Sequence, residues 1–200
     1  MGGQACMLLT LHAVRLLGFA GTGSTALRFG QDPDDVERLL IDAGANGWAV
    51  SSSFGGARGW SLTVAGRTEN ERLLAEELKS TGGQAVVTGV LADFASLNAD
   101  VVAACGKLQL ESLSAGHRPN TGMDEATHHT LMQAQAALNG LEVRLAAALP
   151  RFCGYAARLS KALDEAAIDP AWLTATDRDS FHRIWFELHE DLIATLGIHR

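Results

Sequence analysis

The side chains best suited to chemistry lie in the last third of the chain. His182, Trp185 and His189 recur at spacings of three and four, which puts them on one face of a helix. Phe186, Leu192, Ile193 and Leu196 fall on the same stripe, with Arg183, Glu187, Glu190 and Asp191 opposite. Two imidazoles on an apolar stripe admit three readings: core histidines with hydrogen-bonded rings, the lining of a small-molecule pocket, or a metal site. The metal reading is the weakest, because residues two turns apart sit roughly 10 Å from each other along the axis and do not share an ion without a bend. Tyr155 stands one turn from Arg151 and one turn from Arg158. This trio can meet an anion or pair with the acidic side of the last helix, and intramolecular pairing is the favoured reading. The candidate ligand pocket is therefore His182, Trp185, His189 and Tyr155.

Other combinations carry less. His128 and His129 are adjacent, so on a helix they point about 100° apart and make poor joint ligands. Gly21-Thr22-Gly23-Ser24 follows a helix rather than a strand, against a phosphate loop. The chain has no G-x-S-x-G elbow, Walker loop, H-E-x-x-H or dinucleotide fingerprint. Cys6, Cys105 and Cys153 form no CxxC pair and read as buried, reduced thiols. No catalytic residue, metal or cofactor is expected, and an enzyme built on the histidine pocket is the third choice of function.

The elements that must position these residues are mostly helical. With 47% hydrophobic and 20% charged residues, a chain of 200 has material for a real core in one large domain or two small ones. The apolar run from Met7 is broken by His12 and Arg15 well short of a span, so neither a signal peptide nor a membrane helix is expected and the location is taken as cytoplasmic. Periodicity gives helices over 5–19, 25–29 and 33–44, the second capped by Ser24 or Thr25 and the third opened by Asp32-Pro33. Two extended runs, 47–50 and 59–63, flank a long polar tip, 51–58, and a charged helix follows over 67–78. Beyond Gly82-Gly83 the pattern is helical: 85–113, a loop over 114–121, then 124–149, 151–167, a short turn at 169–172, and 179–196.

Helix, helix, helix, hairpin, helix is the order of a winged helix-turn-helix. The string Leu62-Thr63-Val64-Ala65-Gly66-Arg67 resembles the L-T-x-x-G-R element with which MarR-type regulators leave the second wing strand, and residues 8–79 carry this resemblance. It implies a recognition helix over 33–44, a wing around Arg58, and DNA contacts from Arg28, Arg38, Arg58 and Arg67. The later strings 149–159 and 179–192 resemble, more loosely, the helical region behind such units in actinobacterial MarR-like proteins.

The fold expected is thus mainly α: an N-terminal winged helix-turn-helix over 5–80 with a two-stranded wing, then a helical bundle over 84–200 that dimerises or senses a ligand. The function expected is transcriptional regulation, with DNA, a homodimer mate and a small-molecule effector as partners. Charge argues against the DNA partner locally. The net charge is −7, of which residues 1–79 hold −2 from seven Lys+Arg and nine Asp+Glu, while Asp34, Asp35 and Glu37 at the head of the third helix would meet phosphates with like charge. First-turn acids also stabilise any helix through its dipole. The alternative function is a winged helix used for protein contact without DNA.

Overall fold

The computed structural model describes residues 2–115 and 123–198. It is mainly helical, with a two-stranded antiparallel sheet. Two units make up the chain: Met1–Thr81 together with Ile193–Arg200, and Gly82–Leu192. The last residues therefore group with the first unit, where Ala194 joins its core, rather than with the second as the sequence pattern suggested.

The first unit runs α1 (Gly2–Leu17), α2 (Thr22–Phe29), α3 (Pro33–Ala45), β1 (Ala49–Phe54), β2 (Ala57–Leu62) and α4 (Val64–Thr81). α3 starts where its sequence demands. Asp32 is extended and its carboxylate accepts from the amides of Asp34 and Asp35, with Pro33 in the first turn. α2 differs from expectation: it begins at Thr22 with Gly21 as its cap and no side-chain cap bond, so Ser24 and Thr25 lie inside it. Leu8, Leu11, Val14, Val36, Leu40 and Leu74 close the core, joined by Trp60 from the hairpin.

The hairpin corrects the long tip. Ser51, Ser52 and Ser53 belong to β1 and pair with Trp60, Gly59 and Arg58, leaving Gly55-Gly56 as the turn. Both glycines have positive φ, 58° and 83°, the backbone a tight two-residue hairpin requires, and it costs glycine nothing in steric terms. Polarity made the serines look like loop, yet on an edge strand alternate side chains face solvent. Between α1 and α2, Ala20 bridges antiparallel to Trp60, with Ala20 N to Trp60 O at 3.1 Å and Trp60 N to Ala20 O at 2.8 Å.

The L-T-x-x-G-R string has a physical basis here. Thr63 donates its hydroxyl to Gly47 O at 2.6 Å, its amide donates to Trp48 O at 3.0 Å, and its Oγ1 accepts from Gly66 N at 3.0 Å as the cap of α4. A Cβ at Gly66 would lie 1.9 Å from Trp48 O. Threonine thus ties the strand exit to the helix start, and glycine lets the helix approach the strand backbone.

The second unit contains α5 (Gln84–Ala115), α6 (Glu125–Ala148), a 3-10 turn Pro150–Phe152, α7 (Tyr155–Ala166) and α8 (Ala171–Thr174), and α9 (Phe181–Thr195) runs from it into the first. The loop expected over 114–121 lies for 116–121 outside the described residues. Buried positions of α5 (Val87, Val90, Phe94, Val101, Ala104, Leu108) and of α6 (Thr127, Leu131, Ala134, Leu138, Leu141, Leu145) follow a seven-residue repeat, the seam of an antiparallel coiled coil. Arg144 to Asp93, 2.6 Å, and Lys107 to Asp124, 2.5 Å, flank it. Asp124 also caps α6 through Thr127 N at 2.9 Å, and these hydrogen bonds, Lys107's first, hold its carboxyl below the usual range.

A single helix over 151–167 is not formed. The chain breaks at Cys153–Gly154, Gly154 has φ 99°, and Glu142 of α6 caps the new start by accepting from Gly154 N at 2.8 Å and Ala156 N at 2.6 Å. Among the described residues one helix, Gln84–Leu110, is long and apolar enough to cross a membrane by length and composition, where the sequence pattern leads to no expectation of a membrane helix.

Cysteine burial is also corrected: Cys105 is buried, whereas Cys6 and Cys153 are exposed. Burial pushes the Cys105 thiol up to about 12. A disulfide-exchange reagent at pH 8 is therefore expected to titrate two thiols in the native protein and the third only after denaturant is added.

Candidate functional site

The four arginines expected at DNA sit on four different elements. Arg28 of α2 is half-buried, its guanidinium 4.4 Å from the centre of the Phe29 ring. Arg38 of α3 is 73% exposed and paired with Asp35 one turn away. Arg58 of β2 is exposed and donates to Ser51 Oγ across the strands at 3.2 Å. Arg67 is exposed in the first turn of α4.

The outward face of α3 carries Asp34, Asp35, Arg38, Ile41 and Asp42. Glu37 is not part of it, because its carboxylate accepts from the Thr22 hydroxyl of α2. The pairing of Arg38 with Asp35 leaves that face with two further carboxylates and an isoleucine 54% exposed. Such a surface repels phosphate and offers an apolar contact ringed by acid.

In the same unit, the buried His12 of α1 stacks on Phe29 of α2 at 5.9 Å between ring centres, and its Nδ1 lies 3.4 Å from Oδ1 of buried Asn70 of α4. His12 had registered in the sequence only as an interruption of an apolar run. A polar residue at an inward helical position was the available signal, and its partner, 58 residues away, was not.

In the second unit the predicted pocket residues have different partners. Trp185 and His189 share the ring of Phe94, at 4.6 and 5.6 Å between centres, and Trp185 Nε1 donates to Asn98 Oδ1 at 2.9 Å. Tyr155 belongs elsewhere: its hydroxyl donates to Asp191 Oδ2 at 2.9 Å, and Arg151 binds the other oxygen of the same carboxylate. His182 is half-buried, and burial lowers its imidazole pKa from the ordinary 6.5. Below that ordinary value the unfolded chain takes up this proton more readily than the folded one, so stability contributed above it is lost as pH falls. His182→Gln is expected to flatten the decline in urea midpoint between about pH 6.5 and 5 relative to the parent chain.

The stripe assigned to α9 needs correction. Glu187 and Asp191, placed on the wet side, are 3% and 0% exposed, whereas Phe186, placed on the apolar side, is 53% exposed. Buried carboxylates are tolerated only with partners, and the arginines around α7 supply them. Arg158 meets Glu187 at 2.8 and 2.9 Å and Asp179 at 3.0 and 3.2 Å. Burial works to lower the Arg158 pKa, but Glu187 and Asp179 outweigh it and hold the guanidinium charged. The intramolecular pairing favoured for Arg151, Tyr155 and Arg158 is the one observed. No family model matches the chain, and neither a search of curated proteins nor one of solved structures finds a match.

Proposed function

We propose that residues 2–81 are a winged helix-turn-helix and that the chain acts in transcriptional regulation, in the manner of the MarR-like regulators its sequence resembles. The observation that supports this most is topological. A helix, a one-residue bridge strand at Ala20, two helices, a hairpin closed by Gly55-Gly56 and a further helix follow one another, an order that supports reading α3 as the recognition helix and the hairpin that carries Arg58 as the wing. The buried, hydrogen-bonded states of Trp185 and Tyr155 favour structural roles for these two, so an effector, if sensed, is read elsewhere than at their polar atoms.

The acid-rimmed Ile41 face supports a second reading, in which the module contacts protein and no duplex. One experiment separates them. Full-length protein is titrated with the upstream region of its own transcription unit and with a scrambled duplex, at about 50 and 200 mM salt. A preference for the upstream region at both salts is expected of a regulator. No preference at either, with Asp34→Lys/Asp35→Lys adding only salt-sensitive, unspecific binding, overturns regulation by direct DNA contact and leaves the protein-contact module.

A further inference from the structure

We propose that the open edge of β1 takes an extended segment of a partner protein by strand addition, and that this segment alternates acidic residues with apolar ones. The hydrogen-bond pattern defines the edge. Trp60 gives both its amide and its carbonyl to Ala20, so its pairing with Ser51 is of the non-bonded kind, and the two kinds alternate along an antiparallel ladder. Val50, Ser52 and Phe54 therefore exchange bonds with Ser61, Gly59 and Ala57, while Ser51 and Ser53 turn their N–H and C=O groups away from β2. No described residue bonds those backbone groups in return. α3 covers the start of the strand: Ala49 is buried, and its carbonyl oxygen would lie 3.9 Å from a Cβ on Gly44. Beyond Ala49 the edge is open. Edge strands are normally guarded by lysine, proline or a bulge, yet β1 has no charged residue and no proline, and its pairing with β2 runs without a bulge.

Charge and side-chain alternation choose the occupant. Arg58 is exposed and reaches across from β2 to donate Nε to Ser51 Oγ at 3.2 Å, which brings its guanidinium over β1 beside the open edge. No carboxylate among the described residues pairs with it. An added strand places the side chains opposite Ser51 and Ser53 on this face of the sheet, so a glutamate or aspartate there meets the cation. Its alternate residues fall on the other face, where Val50 is 51% exposed and an added Cβ on Gly59 would meet the Phe19 ring at 2.7 Å. That face calls for apolar side chains. A segment that suits both faces reads acidic, apolar, acidic, apolar, and its backbone completes the ladder at Ser51 and Ser53. A second copy fits less well: its own β1 has no carboxylate, and an edge-to-edge pair would bring two Arg58 guanidinium groups together. A duplex would offer Arg58 a phosphate but no strand backbone to Ser51 and Ser53.

This docking edge does not rest on the regulatory reading, since a chain that binds no DNA would still present it. The test is amide NMR and hydrogen exchange on the full-length protein with three end-blocked peptides. One has Glu-Val-Glu-Val at its centre, the second Lys-Val-Lys-Val, and the third is the acidic peptide N-methylated at both glutamates, whose amides would face β1. The acidic peptide is expected to shift and protect the amides of Ser51 and Ser53, with smaller changes at Val50 and Ser52, which are already bonded to β2. The lysine peptide is expected to bind at least 10-fold more weakly, and the methylated one not at all. Arg58→Glu is expected to reverse the order of the first two, while unchanged amide signals of Ala20 and Trp60 show that the hairpin is intact. The proposal is overturned by silence of Ser51 and Ser53 with the acidic peptide up to about 1 mM, by equal binding of the methylated peptide, or by an unchanged order in folded Arg58→Glu. Protection of those two amides that rises with protein concentration would give the edge to a second copy instead. Shifts there with a scrambled duplex and with none of the peptides would give it to DNA.

Discussion

Replacing Asp191 by alanine is expected to destabilise the second unit by about 3–5 kcal/mol, read as a drop in the urea midpoint at constant slope. The Asp191 side chain is 0% exposed and that of its partner Arg151 is 2% exposed. Arg151 also lies 4.5 Å from the centre of the Phe152 ring, and Tyr155, itself buried, spends its hydroxyl on the second oxygen of the carboxylate. Truncation strips a buried guanidinium of this counter-charge and deprives a phenol of its acceptor, and desolvation of such groups is where large mutational effects originate. The pair itself need not stabilise the fold much, because forming it cost the hydration of both ions. Asp191→Leu with Arg151→Met and Tyr155→Phe, which removes these three polar side chains together, is accordingly expected to cost less than Asp191→Ala alone. A triple variant less stable than the single one would show that the network contributes net stability beyond its own desolvation.

Gly66→Ala is expected to cost about 3 kcal/mol or more in the first unit, at the upper end of overpacking effects. Its backbone is helical without a positive φ, so alanine would ordinarily favour the helix. The sign is set by the added methyl, which would stand 1.9 Å from the Trp48 carbonyl oxygen. That oxygen accepts from the Thr63 amide, so backing away from the methyl breaks the strand-to-helix junction. The comparison is Ala75→Gly, at an exposed site of the same helix, expected to cost about 1 kcal/mol from helix propensity alone. Thermal unfolding of both variants checks the order. If Gly66→Ala were the milder one, the close approach would not govern that position.

How much of this was legible in the residues varies with how local the cause is. Asp32-Pro33 announced the start of α3 because a cap and its helix are neighbours in sequence. Thr63 and Gly66 were recognisable as a string, but what the glycine is for depends on a carbonyl 18 residues earlier. The hairpin was legible and its turn was not, since three serines in succession read as loop until pairing with Gly59 and Trp60 makes them strand. The same holds for the candidate sites. Four arginines could be named, but only the fold shows Arg38 bound to Asp35, Arg28 over Phe29 and Glu37 turned to Thr22.

α9 is the sharpest case. Its helical period was plain from the sequence, and so were its charged residues. By itself the sequence determined that a helix would form over these residues, that most of the chain would be helical, and that charge would be scarce along α5. Which face of α9 goes inward was decided by tertiary structure. A rule that puts apolar residues inside weighs each side chain alone, whereas Asp191 and Glu187 are buried because Arg151, Tyr155 and Arg158 arrive from 29 to 40 residues upstream to neutralise them. Burial of a charge is a property of a pair, and the pair exists only once the chain has folded.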